Sequence, residues 1–222
     1  MKLVIFDCDG TLVDSQHNIV AGITNAWRQN GLADPAPDLI RRQVGLSLEV
    51  AIARMLGRDD DPVLVAELAA AYRAIVQELR SRDDLAEPMF DGMRELIDSL
   101  VAPEIFLGVA TGKNYRGLEH TLHALGLRER FHTLQTGDRC RSKPDPDMVL
   151  KAMAETANQP ESTVMIGDTT FDMEMARSAG ATPIGVAWGY HPAEELHAAG
   201  AAFVLGHPSD LIDCLQSLSA SR

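Results

Sequence analysis

The chain opens Met1-Lys2-Leu3-Val4-Ile5-Phe6-Asp7-Cys8-Asp9-Gly10-Thr11, an apolar run that ends abruptly in two carboxylates flanking a single residue. Leu3 to Phe6 is short, rich in β-branched and aromatic side chains, and free of alternation, the pattern of a strand buried on both faces of a parallel sheet. Side chains two apart on an extended chain point the same way, so Asp7 and Asp9 are expected to project together from the carboxyl end of this strand. Open α/β sheets keep their ligands at that edge. Two carboxylates held so close repel each other, and the pair persists only if a cation lies between them, one takes a proton, or water screens both.

Outward from this strand the pattern changes to helix. Ser15 is expected to cap a helix whose apolar positions Ile19, Ile23, Ala26 and Trp27 recur at helical spacing, with Gly31 closing it. Pro35 and Pro37 mark a turn, and helices are expected over Leu39 to Val44 and Leu48 to Leu56, the second capped by Ser47. Asp61-Pro62, a cap followed by proline at the first helical position, opens a long alanine-rich helix through Arg80. No strand pattern occurs between residues 15 and 85, so this stretch is expected to be an all-helical module inserted into an α/β core made of 1–14 and 86–222.

After Pro88 strands and helices alternate. Strands are expected at Ile105 to Ala110, His132 to Thr136, Thr163 to Ile166, Ile184 to Ala187 and Phe203 to Leu205. Helices are expected from Asp91 or Gly92 to Leu100, then at Tyr115 to Leu125, Asp147 to Thr156, Phe171 to Ala179, Pro192 to Ala198 and Asp210 to Leu218. That rhythm implies right-handed crossovers and a doubly wound parallel sheet covered on both sides, an α/β fold.

Composition narrows the partners. With 222 residues, 45% hydrophobic and 23% charged, the chain reads as an ordinary globular protein with ample length for a core. A formal charge of -12 argues against nucleic acid or an anionic membrane as partner, and requires a local cation for any anionic substrate. Cys8, Cys140 and Cys214 are too scattered for a disulfide framework or a zinc knuckle, and the apolar run before Asp7 is too short for a signal-peptide core, so a cytoplasmic address is expected.

Chemistry collects at the ends of the expected strands. One ends in Thr111-Gly112-Lys113, another in Gly167-Asp168-Thr169-Thr170-Phe171-Asp172, and Ser142-Lys143-Pro144-Asp145-Pro146 lies between them. In a parallel sheet all of these emerge on the edge that carries Asp7 and Asp9. Acids gathered on one edge destabilise one another unless a divalent cation binds, and hard oxygen ligands favour magnesium, which shares itself with phosphate. The Thr111 hydroxyl, backbone N–H groups at Gly112 and the Lys143 ammonium are the donors a phosphoryl group needs. Each feature alone has a plainer explanation: a tight turn for Thr-Gly, a solvated lysine, a capped helix start for Asp168 and Asp172. Their convergence carries the argument.

In order and spacing, Asp7-Cys8-Asp9-Gly10-Thr11, Thr111, Lys143 and Gly167-Asp168 with Asp172 resemble the four motifs of the haloacid dehalogenase-like superfamily, and the helical stretch at 15–85 resembles its inserted cap of the first type. Val109 to Lys113, Gly185 to Tyr190 and Ala199 to Ala201 are similar to segments of phosphoglycolate phosphatase-like members. The resemblance implies a magnesium-dependent phosphatase acting on a small phosphorylated metabolite through an aspartyl phosphate. It implies Asp7 as nucleophile, Asp9 as general acid and base, and magnesium held by Asp7, the Asp9 backbone carbonyl and Asp168, with Asp172 orienting its neighbours or acting through water. Thr111, Gly112 and Lys143 would bind the transferring oxygens, and Arg41, Arg42 and Arg54 are candidate contacts for a substrate carboxylate.

Alternatives are narrower. Gly108 to Lys113 has three residues between its glycines and is followed by Asn114, unlike a nucleotide-binding P-loop. No cysteine has an arginine six residues on, against a cysteine-dependent phosphatase, and His120 and His123 lack a metalloprotease pattern. Dehalogenases carry an aromatic residue where Asp9 stands, and phosphonate-cleaving members use a cap lysine, whereas 15–85 holds none. A sugar-phosphate mutase of the same superfamily, and from another class a phospho-accepting receiver domain, remain as alternatives; oligomeric state is not legible.

Overall fold

Four consecutive apolar residues must be covered from both sides, and Leu3–Phe6 is: this strand, β1, is fully buried along its length. In the computed structural model, which describes residues 2–57, 61–82 and 85–220, β1 pairs in parallel with β2 (Phe106–Thr111) and β4 (Thr163–Gly167). Residues 58–60 and 83–84, inside the expected helical insertion, and Met1 lie outside the described residues. β3 (Thr133–Thr136), β5 (Thr182–Val186) and β6 (Phe203–Leu205) complete an all-parallel sheet in the order β3-β2-β1-β4-β5-β6. The chain runs outward from β1 to β3 and then returns to β4, so the order reverses between β1 and β4. A crevice opens over the carboxyl ends of strands at such a switch point.

The period of two along β1 sorts its side chains between two cores. Val4 and Phe6 pack with Ile97, Leu122 and Leu211 on one face, and Leu3 and Ile5 pack with Met148, Ala152 and Met175 on the other. These come from flanking helices, α5 (Met93–Ser99), α6 (Tyr115–Ala124), α7 (Asp147–Glu155), α8 (Thr170–Ser178) and α10 (Asp210–Ala220), with the short α9 (Ala193–Ala198) against β5 and β6. Four helices precede them between β1 and α5: α1 (Gln16–Gln29), α2 (Pro37–Arg41), α3 (Leu48–Leu56) and α4 (Pro62–Ser81). They close on a third core containing Ile23, Trp27, Ile40, Ile52 and Leu68. Among the described residues no helix is long and apolar enough to cross a membrane.

The helical module is fastened to the sheet in several places. Where the chain leaves and returns, the two passages lie side by side: Asp14 N–H donates to Pro88 O at 2.8 Å and Phe90 N–H to Leu12 O at 3.2 Å, with Val13 bridged antiparallel to Met89. Ser47 N–H donates to Ser142 Oγ at 2.9 Å. Arg42 pairs with Glu195 at 3.0 Å, and the Arg54 guanidinium lies 5.2 Å from the centre of the Phe171 ring.

Some local expectations are corrected. The helix expected over Leu39 to Val44 begins at Pro37 and ends at Arg41, because proline suits the first helical turn and Gly45, at φ 97°, takes the chain out of helix. The fifth strand runs Thr182–Val186 rather than Ile184 to Ala187. Ser15 and Ser47 precede helices but make no side-chain capping bond, whereas Asp61 does cap α4, accepting from Leu64 N–H at 3.0 Å. The Ser15 hydroxyl is instead committed to Asp9, at 2.6 Å.

Ile97 is wholly buried in the core that β1 shares with α5. Ile97→Ala is expected to lower unfolding free energy by about 2–5 kcal/mol in denaturant titration; a loss under about 1 kcal/mol would contradict the packing described.

Candidate active site

β1 ends at Phe6 and delivers Asp7 into the crevice, where the Asp7 N–H donates to Ile166 O of β4 at 2.8 Å. β4 delivers Asp168 beside it, and the first turn of α8 supplies Asp172. One carboxylate oxygen from each of Asp7, Asp168 and Asp172 lies within 4.8 Å of the other two, and all three residues are buried. Lys143, from the connection between β3 and α7, enters this group with no exposed side-chain surface. Its Nζ is 2.8 Å from Asp7 Oδ2 and 2.7 Å from Asp172 Oδ1.

Each acid is held by a different local device. Asp172 and Thr169 form a capping box at the start of α8: Asp172 Oδ2 accepts from Thr169 N–H at 3.1 Å and from Thr169 Oγ1 at 2.7 Å, leaving Oδ1 for Lys143. Helix start and site acid are therefore one residue, with the work split between its two oxygens. Asp168 accepts from Thr11 Oγ1 and from Tyr190 N–H, both at 2.9 Å. Gly10 makes room for it: at φ 87° a side chain would be strained, and a Cβ there would lie 2.3 Å from Asp168 Oδ2. Asp7 Oδ1 accepts from Cys8 N–H at 2.7 Å.

The electrostatics follow from burial. Desolvation pushes Asp7 well above the usual carboxylate range; Lys143 opposes the rise, and Asp172 and Asp168 add to it. Asp168 is pushed up to about 7, first by burial and then by the charge of Asp172, against the pull of its hydrogen bonds. Burial works against the charge of Lys143, but Asp172 and Asp7 outweigh it and raise the ammonium above its ordinary value.

Asp9 faces elsewhere. The chain bends at Cys8, and the two carboxylates take different partners. Asp9 Oδ1 lies 3.1 Å from Lys113 Nζ and accepts from the Ser15 hydroxyl. Lys113 also pairs with Glu87 Oε1 at 2.7 Å, and the other oxygen of Glu87 accepts from the Thr121 hydroxyl. Burial disfavours the Lys113 ammonium, yet Asp9 and Glu87 together hold its pKa well up. Burial tends to raise Glu87, and Lys113 turns that into a net lowering. Lys113 and Glu87 are site neighbours that the sequence reading did not single out; only the position of Lys113 directly after Thr111-Gly112 hinted at the first.

The expected phosphate donors also lie at this edge. Thr111 closes β2 and is buried, its Oγ1 accepting from Lys113 N–H at 3.2 Å, which leaves its own O–H to donate. Gly112 lies against the helical module so closely that a Cβ would stand 2.1 Å from the Leu46 carbonyl oxygen. A cavity of about 800 Å³ opens between module and sheet, reaching Asp9, Gly112 and Lys113. Arg41, Arg42 and Arg54 are not among its lining residues. Arg41 is bound to Asp38 and Gln16, while Arg42 and Arg54 fasten the module as described; the cavity is lined instead by Arg73, Arg80 and Arg116. His120 is exposed at its edge, and His123 is exposed on α6.

The donor set fits a hard divalent cation. Three buried carboxylates share one ammonium, so full ionisation leaves the cluster with excess negative charge, and every oxygen it offers is a hard ligand. The Asp9 side chain, turned to Lys113, is outside this group.

Comparison with known proteins gives the same frame. The profile of the haloacid dehalogenase-like hydrolase family matches residues 4–186. The chain is 34% identical to an N-acetylmuramic acid 6-phosphate phosphatase of Pseudomonas aeruginosa, over 97% of this chain and 95% of that one. It is 30% identical to a phosphoglycolate phosphatase of Synechococcus elongatus, over 98% and 99%. Among solved structures, a hydrolase from Pseudomonas syringae superposes with a TM-score of 0.84 at 27% identity, covering 98% of this chain and 99% of the other. Matched nearly end to end in both sequence and fold, and built around acids at the switch point of its sheet, the chain belongs to the haloacid dehalogenase-like hydrolase family.

Proposed function

We propose that this protein is a magnesium-dependent phosphatase that hydrolyses a small phosphorylated metabolite through an aspartyl phosphate on Asp7. The observation that carries this reading is the segregation of its two leading acids: Asp7 among Asp168, Asp172 and Lys143, Asp9 apart with Lys113 and Ser15. A nucleophile and a proton donor for one displacement need that separation. The family membership supports the same chemistry, and relatives named for N-acetylmuramic acid 6-phosphate and phosphoglycolate support a phosphomonoester substrate.

In this reading an Asp7 carboxylate oxygen attacks phosphorus as the ester P–O bond breaks, and the departing oxygen takes the proton of Asp9. Asp9 then takes a proton from water as that water attacks phosphorus, breaking the bond to Asp7 and releasing inorganic phosphate. Thr111 and the Gly112 N–H donate to the transferring oxygens, whose charge is spread over three atoms at the transition state, and Lys143 supplies positive charge beside the nucleophile. Asp7, the Asp9 backbone carbonyl and Asp168 would hold magnesium, with Asp172 fixing Lys143. Bound there, the cation would neutralise carboxylate and phosphoryl charge together. The helical module covers the site and keeps bulk water from the acyl phosphate.

Asp7→Asn is expected to abolish phosphate release from p-nitrophenyl phosphate while leaving the circular dichroism spectrum unchanged; retained turnover would overturn the assignment. Asp9→Asn is expected to lower kcat/KM, which reports transfer to Asp7, far more for alkyl phosphates than for p-nitrophenyl phosphate, whose leaving group needs no proton, and equal losses in kcat/KM would remove Asp9 from the acid role. Chelation by EDTA is expected to stop turnover and added magnesium to restore it, whereas Asp168→Asn should need far more magnesium for half-maximal rate in a metal titration.

A further inference from the structure

The face of α4 that runs down one wall of the cavity presents Tyr72, Val76 and Arg80, residues one turn apart. Arg80 is the less exposed of the two α4 arginines that line the cavity. Its Nη2 and Lys113 Cγ each lie 3.0 Å from where a Cβ on Gly117 would stand, so Arg80 and Lys113 border the same small residue. Lys113 holds Asp9, so Arg80 stands beside the Asp9–Lys113 pair on the cavity wall. Arg80 Nε is buried and has no hydrogen-bond partner among the described residues. The other two lining arginines differ: Arg73 is paired with Glu49, and Arg116 is exposed. A buried guanidinium nitrogen without an acceptor is costly, and a ligand acceptor removes that cost.

The rest of the wall sets the size and character of what reaches Arg80. Ile19, Ile23, Ile40, Val44 and Met55 line the cavity, and its volume of about 800 Å³ far exceeds a two-carbon leaving group. Glu87 lines the same region, and the Arg80 charge is among those that hold its carboxyl below the ordinary value. A guanidinium offers a planar pair of N–H donors, which matches a carboxylate. Resting on the phosphatase reading, we infer that Arg80 is the specificity-determining residue of this site, and that it selects phosphomonoesters whose leaving group carries a carboxylate on a body larger than glycolate.

The test uses a matched pair, N-acetylmuramic acid 6-phosphate and N-acetylglucosamine 6-phosphate, which differ by the carboxylate-bearing ether, with p-nitrophenyl phosphate as a reference. Wild-type enzyme is expected to favour the carboxylate member by about 10- to 100-fold in kcat/KM, the range of one charge-assisted hydrogen bond. In Arg80→Gln that preference should collapse, through a raised KM at little-changed kcat, with a much smaller loss on the neutral member. Arg80→Lys, which keeps the charge and loses the fork, should fall between the two and serves if Arg80→Gln does not fold. Equal kcat/KM for the pair in the wild type, or equal losses on both in the variants, would overturn the inference. Asp7-dependent hydrolysis of p-nitrophenyl phosphate in that case leaves the phosphatase reading standing, whereas hydrolysis of no ester by the wild type would sink both.

Discussion

Lys143 has no exposed side-chain surface and stands between Asp7 and Asp172, at 2.8 and 2.7 Å. Removing an ammonium from water costs several kcal/mol and is tolerable only where opposite charges and good geometry repay it. Here the repayment comes from elements far apart in sequence: Asp7 follows the first strand, Lys143 lies in the connection after the third, and Asp172 sits in the first turn of α8. The triad thus ties three crossovers to one point of the sheet edge. Losing Lys143 would strand both acids as buried charge, so fold and site share this constraint.

A second lysine makes a second centre out of the same edge. Lys113 and Ser15 take the carboxylate of Asp9, while Lys143 takes that of Asp7. Two acids with a single residue between them would repel each other on a straight strand. Bending the chain at Cys8 and giving each carboxylate its own cation relieves that repulsion. Cys8, between them, is buried with its thiol pushed up by desolvation and the charge of Asp9, which keeps it inert.

Legibility tracked how local each signal was. The all-apolar run Leu3 to Phe6 announced a doubly covered strand, and the acids or donors at Asp7, Thr111 and Asp168 could be placed at one edge because a parallel sheet puts all strand ends there. Asp172 was visible as a helix start, and it does belong to the capping box of α8 while its other oxygen meets Lys143. What stayed hidden needed tertiary geometry. Ser15 looked like a cap by position and is instead an Asp9 partner. Glu87, in a segment without periodicity, reaches Lys113 from 26 positions away in sequence. Arg41, Arg42 and Arg54 were conspicuous on the module, but helix phase turns two of them to its seam with the sheet, and Arg80 reaches the cavity from the far end of a long helix.

Outgoing and returning passages between sheet and helical module run antiparallel, bonded at Asp14 to Pro88 and Phe90 to Leu12. Two bonded passages form a ribbon, so the module joins the sheet through paired backbone rather than two independent linkers, in addition to its contacts through Arg42, Ser47 and Arg54. Ser15 and Glu87 lie just beyond this ribbon, one on each passage, and they touch Asp9 and Lys113 respectively. Both passages therefore end on the Asp9–Lys113 pair, so the junction that carries the module also fixes where the Asp9 carboxylate points.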